Sequence, residues 1–336
     1  MKLLIVGNRG GTNVGGSFER AAIRAGIQVS FLEASSAMSA PGWLRRFNWY
    51  CRGHRPTHLE FFGRRLLRVA VDFKPDLVLA TGIAPLDRQT ILGLRGRSTP
   101  VVNFLTDDPW NASHRARWFL RALPEYSAVF SPRRAVMPDL VAAGCPHVAY
   151  LPFGYDPELH FAEGPGFRRQ LDDAVLFVGA AEQERVAYCR ALVRAGIRLE
   201  LYGDFWNRYA GLRRSWRGYA APVTLRRVSG GCRISLCLVR RANRDGHTMR
   251  TFEAAAMGGC LMVENTSEHR ELFGPNLERV VYFESVQELQ SAARWLLAHE
   301  PDRRRMANAV HTKITRGAHT YSDRLRSILE FTRLPT

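Results

Sequence analysis

One stretch decides the fold of this chain of 336 residues: DGHTMRTFEAAAMGG, at residues 245–259. It predicts a helix that begins after Thr248, because threonine is a preferred N-cap residue whose side chain can satisfy an open backbone N–H group. The remaining N–H groups of such a helix start bind anions, and a diphosphate is one of them. Glu253 follows about one and a half turns later, at about 3.6 residues per turn, where its carboxylate can accept hydrogen bonds from a ribose diol. The stretch therefore predicts a site for a nucleotide that carries a sugar.

The same stretch resembles the C-terminal signature of group-1 glycosyltransferases with two Rossmann-like domains, the GT-B architecture. It is most similar to the spore-maturation-type (CgeB-like) branch, whose signature is Arg-x-Phe-Glu-x-x-Ala-x-Gly-Gly, and the similarity is strongest over residues 245–273. Retaining members of the wider group carry two glutamates with seven residues between them, and Asp245 and Glu253 occupy those two places here. The resemblance implies an α/β fold in which two Rossmann-like domains face each other across a cleft, followed by a helical C-terminal tail.

Composition narrows the class of protein. A chain of this length accommodates two domains, and its 46% of hydrophobic residues contain no apolar run of a membrane span's length. The apolar N-terminal residues 3–6 pass directly into a glycine-rich loop, which indicates a first strand and not a secretion signal. The six cysteines show neither a Cys-x-x-Cys pair nor histidines at metal-binding spacing. We therefore expect a cytoplasmic protein with reduced core cysteines, no metal and no cofactor; a peripheral position on the inner face of the membrane stays open.

The formal net charge is +17, and arginine supplies most of the positive charge, since only Lys2, Lys74 and Lys313 are lysines. Such a charge attracts anionic partners: nucleotides, phospholipid head groups or nucleic acid. We expect no nucleic-acid partner, because the chain carries neither a zinc-finger nor an RNA-recognition motif.

Apolar strand segments alternate with helical segments along the chain, as a parallel sheet covered by helices requires. This pattern predicts an N-terminal Rossmann-like acceptor domain at residues 1–157. Two prolines and a glycine near its end introduce a predicted linker at 158–173. A second Rossmann-like domain, for the nucleotide-sugar donor, is predicted at 174–336, with terminal helices within 286–331. The resemblance implies that the last of these helices packs on the first domain.

The glycine-rich loop after the first predicted strand is a candidate site loop. Its small residues let a backbone approach a phosphate or a sugar closely, and ligands of Rossmann-like sheets bind at the carboxyl ends of the strands. A tight turn is the alternative interpretation. The candidate residues of this loop are Gly10, Gly11, Gly15 and Gly16.

A second candidate loop follows the predicted strand at residues 101–105. Asp107 and Asp108 precede a proline there, a pattern that is typical of a turn. Retaining relatives carry a histidine–aspartate pair at this strand end, so the resemblance implies that Asp107 or Asp108 orients the acceptor hydroxyl.

The donor phosphates need positive charge, and arginine forks match phosphate oxygens. Arg250 is the foremost candidate because it lies within the signature, and His247 is a candidate for a sugar contact. The resemblance implies a metal-independent site in which Asp245 positions the transferred sugar. Further donor-site candidates lie close to the signature or follow the first strand of the second domain: Gly179, Arg185, Arg240, Arg241 and Arg244.

Two glutamates follow the predicted strand at 260–263. Glu268 is assigned to a helix start that Thr266 or Ser267 caps, and Glu264 remains a candidate site residue.

Between residues 41 and 71, aromatic side chains are interleaved with arginines at helical spacing. A segment of this kind can lie in an anionic membrane interface. Packing of its apolar side onto the first domain is the alternative, and the sequence favours it.

The leading hypothesis is a glycosyltransferase, hexosyltransferase in type, that acts in polysaccharide or glycoconjugate biosynthesis. It would move a sugar from a nucleoside diphosphate sugar, with UDP-sugar slightly favoured, to a hydroxyl of a glycan, a lipid-linked acceptor or a small molecule. The resemblance favours retention of configuration. A nucleotide-sugar epimerase of the same fold and a non-catalytic nucleotide or polyanion binder are the alternatives.

Overall fold

The computed structural model describes residues 1–11, 13–164 and 171–333. The chain divides into two compact units. The N-terminal unit consists of Met1–Pro152, Arg241–Asp245 and the residues from Tyr321 onward, and the C-terminal unit consists of Phe153–Arg240 and Gly246–Thr320. Each unit contains one sheet and its own buried apolar core.

The N-terminal unit contains a six-stranded parallel sheet in the order β2-β1-β3-β4-β5-β6. Its central strands are buried at every position except the last residue of one of them, Thr81, as expected for a parallel sheet with helices on both faces. The strands are β1 (Lys2–Gly7), β2 (Gln28–Glu33), β3 (Leu77–Thr81), β4 (Val101–Phe104), β5 (Ala128–Ser131) and β6 (Val148–Tyr150). The helices are α1 (Val14–Arg24), α2 (Gly42–Cys51), α3 (Leu59–Phe73), α4 (Arg88–Arg95), α5 (Arg117–Leu120) and α6 (Met137–Ala142).

The C-terminal unit contains a five-stranded parallel sheet in the order β11-β10-β9-β7-β8. Its strands are β7 (Leu171–Val178), β8 (Arg198–Tyr202), β9 (Cys232–Cys237), β10 (Leu261–Glu264) and β11 (Val281–Phe283). Its helices are α7 (Gln183–Arg194), α8 (Pro222–Gly231), α9 (Met249–Ala256), α10 (Ser267–Phe273), α11 (Val286–Ala298) and α12 (Glu300–Arg316). The predicted α/β class with two Rossmann-like units is confirmed.

The last helix, α13 (Tyr321–Phe331), belongs to the N-terminal unit. The ring of Tyr321 packs edge-on against Phe18 of α1, with 5.3 Å between ring centroids. Arg24 Nη2 donates a hydrogen bond to Ser322 Oγ at 3.2 Å. The C-terminal tail is therefore helical, as predicted.

The compact units differ from the sequence-based division at residues 157 and 174. The chain changes unit at Phe153, because the segment that follows pairs with the C-terminal unit: Tyr155 N–H donates to His319 O at 3.0 Å. Residues 171–173, assigned to the linker, begin strand β7. Residues 165–170 of the predicted linker lie outside the described residues.

Cys51 at the end of α2 is exposed, whereas the other five cysteines are buried as expected. Among the described residues, no helix combines the length and the apolar character that crossing a membrane requires.

Candidate functional site

Helix α9 carries the carboxylate at the centre of the predicted site. Thr248 is its N-cap residue, as predicted, and Thr248 N–H donates to Thr251 Oγ1 at 3.4 Å. Glu253 is only 1% exposed. Its Oε2 lies 2.6 Å from Arg250 Nη1, and its Oε1 lies 3.6 Å from His160 Nε2. A carboxylate offers about four lone-pair sites, so these two contacts hold Glu253 in place and leave acceptor capacity for a ligand.

His160 lies beside this carboxylate, and a backbone hydrogen bond sets the tautomer of its ring. Asp156 N–H donates to His160 Nδ1 at 3.1 Å, so Nδ1 is the acceptor and the ring proton lies on Nε2, which faces Glu253. Both side chains are 1% exposed. His160 was not among the predicted site residues, and its one signal in the sequence is its place soon after the Pro-x-Gly-x-Asp segment at 152–156.

His247 also has both ring nitrogens engaged by protein groups. Phe153 N–H donates to His247 Nε2 at 3.3 Å, and His247 Nδ1 lies 2.5 Å from Glu268 Oε2. The prediction that His247 contacts the sugar is therefore corrected: this buried ring links the start of the C-terminal unit to α10. Gly246 precedes it, and a Cβ there would lie 2.3 Å from Glu268 Cδ, so only glycine fits against this pair.

A third histidine ties α9 to α10. His269 Nδ1 contacts Glu264 O at 2.8 Å, and because a carbonyl only accepts, Nδ1 carries the proton. His269 Nε2 then accepts from Thr251 Oγ1 at 3.1 Å. Burial lowers the pKa of His269 to about 4, so the ring is neutral at physiological pH. Thr266 caps α10 by accepting from His269 N–H at 3.0 Å, which confirms that predicted helix start.

The carboxyl ends of β7, β9 and β10 bring three sequence candidates to one edge of the C-terminal sheet. Gly179 O accepts from Trp206 Nε1 at 2.8 Å in the turn after β7. Arg240 Nε, just after β9, lies 2.6 Å from Glu182 Oε1. Glu264 at the end of β10 accepts from Val239 N–H at 2.6 Å. Ligands of parallel α/β sheets bind at this edge.

Arg185 points to the same edge from α7. It is buried, and its Nη1 lies 3.6 Å from Glu182 Oε1, while its Nη2 donates to Leu238 O at 3.4 Å. Glu182 therefore orients both Arg185 and Arg240 within the C-terminal unit.

The predicted glycine loop of the N-terminal unit divides into a turn and a helix start. Gly10 and Gly11 lie in the turn after β1, and Gly11 adopts a left-handed backbone with φ 63°. Gly15 and Gly16 belong to the first turn of α1, where a Cβ would come within 2.9 Å of Asn8 O and 2.5 Å of Arg9 O. Their placement in a loop is corrected: these two glycines allow α1 to start against the backbone of the preceding turn.

The two aspartates after β4 have different surroundings. Asp108 is buried; its Oδ1 accepts from Trp110 N–H at 2.9 Å, and its Oδ2 accepts from Arg244 Nε at 2.6 Å. It is a turn residue and an anchor for Arg244. The Asp107 side chain is 33% exposed and accepts from Asn243 Nδ2 at 3.1 Å. Of the two, Asp107 is the one that retains access to a ligand.

The short segment Arg241–Asp245 packs on the N-terminal unit, although it precedes the signature helix in the chain. Arg244 Nη1 contacts Asp139 Oδ2 at 2.6 Å in addition to the Asp108 pair, and these hydrogen bonds raise the pKa of Arg244. Asp245 forms a buried ion pair with Arg133, whose Nε donates to Asp245 Oδ1. The arginines predicted to bind the donor phosphates are therefore divided between the two units. Arg244 belongs to the N-terminal unit, where it neutralises carboxylates, whereas Arg240 belongs to the C-terminal unit.

Arg133 and Asn243 were also not among the predicted site residues. Asn243 accepts from Asn111 Nδ2 at 2.8 Å while it donates to Asp107, so it links two loops of the N-terminal unit. These partners lie more than a hundred residues apart in the sequence. Within the described ranges, the histidines, cysteines and carboxylates form no group of three or more that could hold a metal ion.

Residues 183–330 match a sequence family described as "Glycosyl transferase-like". No curated protein sequence matches the chain significantly.

Several solved structures share the fold over nearly the whole chain. The Anabaena protein HepE in complex with UDP and glucose is 13% identical, with 99% of each chain covered and a TM-score of 0.67. Sucrose-phosphate synthase from Thermosynechococcus elongatus is 13% identical, with 98% of each chain covered and a TM-score of 0.69. A Listeria monocytogenes protein described as a candidate UDP-N-acetylglucosamine 2-epimerase is 13% identical, with 99% of this chain and 96% of that chain covered and a TM-score of 0.55. At these identities the likeness concerns the fold, which is GT-B. The family match covers less than half of the chain, and the likeness to the solved structures shows the fold.

Proposed function

We propose that this protein transfers a sugar, in the manner of a hexosyltransferase, from a nucleoside diphosphate sugar to a hydroxyl acceptor. The donor binds at α9: its phosphates at the helix start after Thr248, with Arg250 and Arg240 supplying positive charge, and its ribose at Glu253. Asp245 positions the transferred sugar, and Asp107 contributes to the acceptor site. The acceptor is a hydroxyl of a glycan, a lipid-linked molecule or a small molecule. Within the group-1 glycosyltransferases, we place the protein in the spore-maturation-type (CgeB-like) branch.

The observation that supports this proposal most is the buried Glu253 carboxylate, held by Arg250 and by the protonated face of His160. Burying a charge is costly unless it is paired. Apolar side chains could stabilise the helix equally well, so a buried ion pair at this position favours a role in binding. A carboxylate that is held rigid and keeps open lone pairs suits recognition of a diol.

Three finer features belong to the same proposal. UDP is the favoured donor nucleotide, because solved neighbours such as HepE are described in complex with UDP. Retention of configuration is favoured by the resemblance to retaining group-1 glycosyltransferases, in which Asp245 and Glu253 occupy the places of the two glutamates. Stabilisation of the leaving diphosphate falls to arginines and helix N–H groups, which can act without a divalent metal.

Calorimetry tests the donor site directly. Nucleoside diphosphates and their sugars are titrated, in the presence of a chelator, into the wild type and into the Glu253→Ala and Glu253→Gln variants. We expect one diphosphate to bind the wild type and to bind both variants at least about tenfold more weakly, as expected for a lost hydrogen bond to a charged group. Glu300→Ala, at a partly exposed position on α12 of the same unit, is the matched control and should bind normally.

Equal binding by folded Glu253 variants would refute the assignment of the ribose to α9. Binding only after a divalent ion is added would refute the metal-independent part alone. Conversion of a nucleotide sugar without any acceptor would favour the epimerase, for which the Listeria structure is a fold precedent. Sugar transfer that Asp245→Asn leaves unchanged would remove the proposed role of Asp245.

A further inference from the structure

Helix α2 is unusual because its aromatic side chains face solvent. Trp43, Phe47 and Tyr50 are 71%, 51% and 81% exposed. Their spacing of four and three residues places them on one side of the helix. The buried residue of α2 is polar: Asn48, which donates to Thr57 Oγ1 at 2.9 Å. The interpretation that the whole segment at 41–71 packs its apolar side onto the domain is therefore wrong for α2, whereas α3 does bury Phe62 and Leu66.

The surface around this aromatic row is positively charged. From residue 34 to residue 59 the sequence contains four arginines and no aspartate or glutamate. Arg45, Arg46 and Arg55 line, together with Trp43, Trp49 and Tyr50, an open cavity of about 870 Å³ beside the helix. Glu60 pairs with Arg55 at 2.6 Å at the edge of this surface. We call the exposed side of α2 with these arginines the α2 surface.

We propose that the α2 surface docks the protein on an anionic phospholipid bilayer. Tryptophan and tyrosine rings bury their apolar bodies at the head-group level and keep their polar atoms hydrated. Arginines beside them are attracted to anionic head groups. A helix that lies in the plane of the interface has this combination of an aromatic row and flanking positive charge. The docking goes beyond the transfer reaction and does not depend on it.

Two other occupants fit the α2 surface less well. A second copy of the chain in a two-fold dimer would bring arginine-rich faces together, and like charges repel. Single-stranded nucleic acid also binds arginines and aromatic rings, but it stacks successive bases along a groove that follows its backbone, whereas the exposed rings form a row along one helix.

Vesicle co-sedimentation of the full chain tests the docking. One set of vesicles is phosphatidylcholine alone, and the other contains phosphatidylcholine and phosphatidylglycerol. We expect binding to the anionic vesicles, weaker binding at high salt, and little binding to the neutral ones. The Arg45→Gln, Arg46→Gln double variant should bind roughly thirtyfold more weakly, because each arginine near an anionic surface contributes about 1 kcal/mol of binding free energy. The Trp43→Ser, Phe47→Ser double variant should lose at least about tenfold.

The matched control is the Arg304→Gln, Arg305→Gln double variant, which removes the same charge from an exposed position on α12. It should bind vesicles as the wild type does. Equal loss in the control would mean that net charge alone drives binding and would overturn the α2 surface, as would full binding by the aromatic variant. Binding of a single-stranded oligonucleotide in preference to the anionic vesicles would overturn the lipid assignment. Nucleotide calorimetry on the α2 variants should match the wild type, so a failed vesicle assay is separable from a failed donor site.

Discussion

At the scale of single residues, the buried carboxylate of Glu253 depends on a neighbour that the signature does not contain. His160 holds its proton on Nε2 because Nδ1 accepts from Asp156 N–H at 3.1 Å. That proton faces Glu253 Oε1 at 3.6 Å, so His160 is a positioning residue for the proposed ribose contact.

Replacement of His160 should therefore weaken donor binding without removing it. We expect His160→Ala to raise the dissociation constant of the preferred diphosphate roughly tenfold, the usual scale for one lost contact to a charged group. His160→Gln, which can present an N–H group to Glu253, should recover part of the loss. Calorimetry on variants whose unfolding temperature has been measured gives the answer. Unchanged affinity in a folded His160→Ala protein would assign this histidine to packing only.

At the scale of elements, the sequence predicted some of the short strands and not others. The four-residue strands β4 and β10 match the predicted strands at 101–105 and 260–263, whereas β5, β6 and β11, with three or four residues each, were not predicted. Capping chemistry was more informative, since Thr248 and Thr266 begin α9 and α10 as predicted. The partners of the site residues were not predictable from local sequence. Arg133 and Asp245, for example, meet only because the fold brings segments 112 residues apart together.

The link between α9 and α10 should make stability depend on pH. The pKa of His269 is about 4 in the folded protein, against an ordinary value of 6.5. Below pH 6.5 the unfolded chain therefore binds a proton that the folded protein does not, so the free energy of unfolding falls as the pH falls towards 4. This one residue should contribute a slope of about 1.4 kcal/mol per pH unit in that window.

Denaturant unfolding from pH 6.5 downward measures this slope. His269→Gln removes the titrating group, so its stability should fall less steeply with decreasing pH than that of the wild type. His299→Gln, at an exposed position after α11, is the control and should keep the wild-type slope. Identical slopes for the wild type and His269→Gln would show that other groups account for the pH dependence.

At the scale of the whole molecule, each compact unit is built from segments that are separated in the sequence. The resemblance predicted that the last helix returns to the first domain, and α13 does so. The local sequence did not predict that Arg241–Asp245 also belongs to the N-terminal unit. Its ion pairs with Asp108, Asp139 and Arg133 attach it there. Two successive C-terminal helices, α12 and α13, thus stabilise different sheets, although only four residues separate them.

This arrangement predicts that core substitutions in α13 and α12 loosen different sheets. Leu325 of α13 and Met306 of α12 are 2% and 0% exposed, and truncation of either to alanine should cost about 2–5 kcal/mol through lost burial and a residual cavity. In hydrogen exchange resolved by peptide, Leu325→Ala should accelerate exchange chiefly in β1 and β3 of the N-terminal unit. Met306→Ala should act chiefly on β9 and β10. Each variant is the control for the other, because both remove a buried side chain of similar size near the C-terminus. If either variant accelerated exchange equally in both sheets, the two units would unfold as a single cooperative body, and the stability of α13 could not be assigned to the N-terminal core alone.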